Sequence, residues 1–157
     1  MKKKWMSLLC VLTLMLSICG VTAQASEELQ MIDGSYLTHE DESIGYATLI
    51  MRGEDLMTGY SKGTRLGAGL FYAGGTTIAA HTVDAVGVAV MVERAQDGDT
   101  SWEFYTSWQK ENLNTDRASS NLRLEVEGGY YYRVRCTHWA NSDVSSSFTN
   151  GVFIEEP

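Results

Sequence analysis

The stretch VGVAVMVERAQDGDTSWEFYTSW, residues 86–108, decides how the chain is read. Val86, Val88, Val90 and Val92 recur at every second position, the period of a strand with one buried face. Their β-branched side chains favour that conformation over helix. Residues 96–99 (QDGD) then supply a turn, with Asp97-Gly98 a pair common in hairpins. Beyond the turn Trp102, Phe104, Thr106 and Trp108 form a second stripe, opposed by Glu103, Tyr105 and Ser107. Two alternating stripes joined by such a turn predict a β-hairpin.

Outward from this hairpin the same period continues. A polar loop is expected through Asn112 and Asn114, followed by Leu122, Leu124 and Val126 with Arg123 and Glu125 facing away. Gly128-Gly129 turns the chain into YYYRVRCTHWA, residues 130–140. On a strand, Tyr130, Tyr132, Val134, Cys136 and His138 point one way, and Tyr131, Arg133, Arg135, Thr137 and Trp139 the other. Because arginine is seldom fully buried, the arginine face is expected to meet solvent and Cys136 to turn inward. A last strand is expected over Phe148–Ile154, with Phe148, Val152 and Ile154 on one side.

Toward the N-terminus, Ile78 and Ala80 alternate with Thr77 and Ala79. Glycines at 59, 63, 67, 69, 74 and 75 argue against helix and for bends and close backbone approach within strands. Residues 26–58 carry the acidic cluster Glu40-Asp41-Glu42 and little periodicity, so they read as a loosely packed lead-in, with Tyr46–Met51 a candidate short strand. The single proline, Pro157, interrupts no ladder. Short strands and no amphipathic helix predict an all-β domain over residues 59–157, an antiparallel β-sandwich.

Residues 1–25 read as a leader and are set aside from the fold. Lys2, Lys3 and Lys4 precede an apolar run from Leu8 to Ile18, and Ala23-Gln24-Ala25 closes the segment. This pattern predicts a secretory signal cleaved between Ala25 and Ser26, and therefore a secreted, extracellular protein. The apolar run is well short of the ~20 residues that span a bilayer. A lipid-anchored alternative would use Cys19, but Ile18 stands where a small residue should precede it.

Removing 25 of the 157 residues leaves 132, enough for one domain with its own core. It also leaves 9 basic against 20 acidic residues, a formal charge of −11. Such a chain repels phosphate backbones and anionic lipid surfaces, so neither nucleic acid nor membrane is an expected partner of the mature protein. Cys10 and Cys19 leave with the signal, and Cys136 alone cannot form an internal disulfide.

The chemistry-bearing residues are sparse. His39, His81 and His138 stand at no recognised ligand spacing, and neither HExxH nor CxxC occurs, so no metal or cofactor is implied. Asp97, Asp99 and Glu103 hold fragments of a calcium-loop pattern; a hairpin turn accounts for them better, with a weak surface calcium site left open. Gly67-Ala68-Gly69 lacks the strand-to-helix context of a phosphate loop, and GxSxG is missing. Cys136 and His138 share a strand face, but a nucleophilic thiol needs access and a depressed pKa, and an inward cysteine beside Val134 reads as an inert small hydrophobe.

Two resemblances add to this reading. Residues 132–136 (YRVRC), with Asn141 and the serines that follow, resemble the penultimate strand and last loop of fibronectin type III and immunoglobulin-like domains, which implies that topology for the sandwich. Residues 57–65 (MTGYSKGTR), 72–77 (YAGGTT), 81–90 (HTVDAVGVAV), 128–140 (GGYYYRVRCTHWA) and 145–151 (SSSFTNG) resemble a family of small exported proteins of Gram-positive bacteria, catalogued as a domain of unknown function. That second likeness implies export and a β-rich fold and brings no activity with it.

Aromatic residues carry the remaining functional signal. Tyr105, Tyr131, Arg133, Arg135 and Trp139 would form an aromatic-basic binding surface if their strands share one sheet face. The competing reading pairs Arg133 and Arg135 across strands with acids such as Glu93 or Glu103. The function expected is a secreted, non-catalytic module recognising an extracellular protein or glycan. The alternatives are a bacteriocin-like effector or a hydrolase whose site is dispersed over loops.

Overall fold

A computed structural model describes residues 29–47 and 53–157. The leader with its Ala25–Ser26 cleavage point, and the end of the Tyr46–Met51 candidate strand, lie outside the described residues. The described residues form an all-β fold of nine strands: β1 (Met31–Ile32), β2 (Ser35–Thr38), β3 (Glu42–Tyr46), β4 (Leu56–Gly67), β5 (Leu70–Ala95), β6 (Glu103–Glu125), β7 (Tyr130–Ala140), β8 (Asp143–Phe148) and β9 (Gly151–Ile154). One sheet runs β1-β2-β9-β7-β5-β4-β3, with β6 on β5 and β8 on β7.

The valine stripe lies at its centre. Val86, Val88, Val90 and Val92 are buried between β6 on one edge and β7 on the other, Val88 opposite His138 and Val90 opposite Cys136. Burying each valine stabilises the fold by about 1.5 kcal/mol or more. Phe71, Tyr132, Val134, Val152 and Ile154 complete this core.

Both long strands bend midway. In β5 Phe71, Ala73 and Thr77 face inward before a register shift between Ile78 and Val83, and Val86, Val88, Val90 and Val92 after it, so the inward parity switches from odd to even. In β6 the matching point is Asn114, whose φ of +52° suits asparagine better than most side chains. The polar loop expected here is therefore corrected: β6 runs through it as a bent strand. Trp108 Nε1 donates to Ser120 Oγ at 3.1 Å and Asn112 Nδ2 to Arg117 O at 2.9 Å, so the two halves of β6 fold toward each other. Leu56, Ala79, Val83, Val86, Ala118 and Ala140 fill the bend with a second apolar cluster.

Bending curls the sheet into a half-barrel, with β4 packed across the interior on β7 and β8. Glycines make that approach possible. A Cβ on Gly59 would lie 2.4 Å from the His138 ring, and one on Gly75 2.4 Å from the Cys136 sulfur. The sheet is mixed rather than wholly antiparallel: Leu37 and Thr38 of β2 pair in parallel with Gly151 and Val152 of β9.

Three further expectations change. The lead-in supplies β1, β2 and β3, and Ile32 and Leu37 are buried with Ala95 and Tyr131. The Trp102–Trp108 stripe is split by a bulge, since Thr106 opposes Val92 while Phe104 opposes Glu93. The extra residue between them, Tyr105, packs on the core, and Phe104 is left 59% exposed on the outer side. Thr149-Asn150 divides the expected last strand into β8 and β9, leaving Phe148 outside and Val152 and Ile154 inside.

Candidate binding surface

Strand β7 sorts the chemistry-bearing residues by face. On the inner face Cys136 is 2% exposed, and burial pushes its thiol pKa up to about 12, so it stays protonated at neutral pH. His138 beside it is fully buried, and burial pushes its pKa down to about 4. Thr77 Oγ1 donates to Gly87 O at 2.7 Å and lies 2.8 Å from His138 Nδ1, so Nδ1 carries the proton. Ser147 Oγ, 2.8 Å away, then donates to Nε2. Both polar atoms of the imidazole are satisfied inside the half-barrel, and neither the thiol nor the ring meets solvent.

The outer face is divided. Arg133, expected in solvent, is only 1% exposed. Its Nε lies 2.7 Å from Glu93 Oε2, Nη1 donates to Ser35 Oγ at 3.0 Å, and Nη2 lies 3.0 Å from Asp33 Oδ2. The guanidinium stacks 4.6 Å from the Trp102 ring, whose Nε1 donates to Ile32 O. Arginine is buried here because each of these groups pairs with it, the exception that the general preference allows. The Arg133 hydrogen bond holds the Asp33 carboxyl below its usual range. Tyr131 lies under the same β1–β2 hairpin, with its hydroxyl 3.2 Å from His39 Nε2.

The expected five-residue patch is thus not assembled. Tyr105 is on the inner side, edge-on to Tyr132 at 5.4 Å. Near it the Arg94 guanidinium sits 4.5 Å from the Tyr130 ring and pairs with Glu103 and Glu127. Cross-strand pairing accounts for Arg133, which stands opposite Glu93. Only Arg135 and Trp139 remain together on the open part of the outer face. Asp99 and Glu103, fragments of the calcium pattern, are engaged by the Gln96 amide and by Arg94.

Beside Arg135 the sheet forms a trough of about 500 Å³, with Trp139 one row beyond its floor. Its floor is one row across four strands: Gln109 of β6, Ala89 of β5, Thr137 of β7 and Ser146 of β8, each opposite the next. Met91, Arg135 and Phe148 flank the row on one side, with Ser107 at its end; Trp139 and Val144 flank it on the other. Arg135 is 48% exposed and 3.7 Å from Glu93. The Trp139 ring lies over Gly87, where a Cβ would come within 2.0 Å of it, and its Nε1 donates to Glu111 at 2.9 Å. Aromatic platform and polar floor are therefore both held by the ladder beneath.

Alternation alone places Ala89, Met91, Gln109 and Thr137 outward, whereas Ser146 falls in the serine run read as a loop and lies on a strand only in the structure. That they form one row depends on the β6-β5-β7-β8 registers, which no single segment encodes. No protein-family model matches the chain, and no curated protein matches it.

Proposed function

We propose that this is an exported, non-catalytic binding module that engages an extracellular ligand through the β6-β5-β7-β8 trough. The observation that carries the reading is the trough itself: an open concavity with polar side chains on its floor and the exposed Met91 and Arg135 at its edge, built on a continuous ladder. Export rests on the leader and its Ala25–Ser26 junction. The likeness to small exported Gram-positive proteins belongs to the same proposal. So does the sandwich reading, in which β3–β4 and β7–β8 act as opposed layers of an immunoglobulin-like frame.

The test uses the secreted chain and its Ala89→Leu variant, which fills the trough floor without touching the core. Mass spectrometry of culture medium should return an N-terminus at Ser26. Isolated cell envelopes should retain the native protein and release the variant. Equal retention of both proteins, or of neither, removes the trough from the function.

A further inference from the structure

We infer that the trough takes a neutral, linear oligosaccharide lying across the strands, with its sugar faces against Trp139 and its hydroxyls on the floor. The inference rests on the recognition-face reading and names the ligand class. The floor row spans three strand gaps, about 14 Å at ~4.8 Å each, so it accommodates an extended chain rather than a single small molecule. Gln109, Thr137 and Ser146 present an amide and two hydroxyls along it, groups that both donate and accept, as sugar hydroxyls do. Met91 at the trough's edge, and Trp139, Val144 and Phe148 on the adjoining positions of β7 and β8, supply what the C–H faces of a pyranose need.

Charge selects neutrality. Arg135 lies 3.7 Å from Glu93 and Trp139 is tied to Glu111, so among the described residues no cation without an acidic neighbour faces the floor. A peptide is the poorer occupant. Extended peptides bind by adding to a free strand edge, whereas here β5 lies between β6 and β7, and β7 between β5 and β8. A peptide crossing the strands would leave its own amides facing a ladder with no backbone groups to offer. Sugar hydroxyls reach side chains directly or through water.

The experiment titrates the mature chain with β-linked hexose and N-acetylhexosamine oligomers by calorimetry, and in parallel screens it against a displayed library of extended peptides. Ala89→Leu and Trp139→Ala are run beside it, with circular dichroism and thermal melting to show that each is folded; Ala89→Leu carries the result if Trp139→Ala is not. Oligosaccharide binding weakened about tenfold or more in the folded variants supports the inference. Peptide capture that depends on the same residues, without sugar binding, overturns the glycan assignment and leaves the recognition face standing. Binding of neither class, or binding indifferent to both substitutions, overturns both.

Discussion

Arg133 and Arg135 stand two residues apart on the same face of β7, yet one is sealed inside the protein and the other borders an open trough. Strand, face and residue type are the same. The difference is the β1–β2 hairpin, which folds over Arg133 and delivers Asp33 and Ser35 to its guanidinium, while Arg135 is left half exposed among the described residues. The outer face is therefore two surfaces: a closed half that holds the N-terminal strands, and an open half beside it. Sidedness along a strand is a statement about one sheet, and a second layer can reverse its meaning.

The largest test of this contrast is removal of Arg133. Arg133→Ala leaves Glu93 buried without its partner and should cost about 3–5 kcal/mol in a denaturant titration. A loss below ~1 kcal/mol would mean that the hairpin does not seal the site.

Next in size is the inner face beneath the open half, where His138 is held neutral. Its folded pKa of about 4 lies below the ordinary value near 6.5, so the unfolded chain takes up a proton that the fold refuses. Stability is complete above pH ~6.5 and falls as pH drops toward 4, a loss of roughly 3 kcal/mol. Urea unfolding at stepped pH should show this slope, and His138→Gln should flatten it.

A smaller effect belongs to the stack on Arg133. A double-mutant cycle of Trp102→Leu with Arg133→Met should return a coupling of about 1–2 kcal/mol, the value of a desolvated cation–aromatic pair. Additive losses would reduce the stack to mere proximity. Smallest is Arg135→Ala, expected to move stability by no more than ~0.5 kcal/mol because the side chain is exposed and its ion pair long. Any larger shift would show that the open half is structural rather than free.

Much of the fold is legible in the residues. The valine stripe, the Asp97-Gly98 turn and the glycine spacing all foretell half-buried strands in close approach, and the inward placement of Cys136 follows from Val134 beside it. What alternation could not foresee is where its own phase slips. The bulge at Tyr105, the bend at Asn114 and the break at Thr149-Asn150 each shift parity by local geometry, and so move Tyr105 inward and Phe104 and Phe148 outward. The lead-in was opaque for another reason: β1 and β2 are two and four residues long, too short to display a period.

By itself the sequence determined the class of structure and, between the bulges and bends, which residues of a strand share a face, because a strand's period of two is a local property of the backbone. Tertiary structure alone decided which outward side chains stay outward. Burial of Arg133 and assembly of the trough both depend on segments distant in the chain meeting in register, and that information lies in no single stretch.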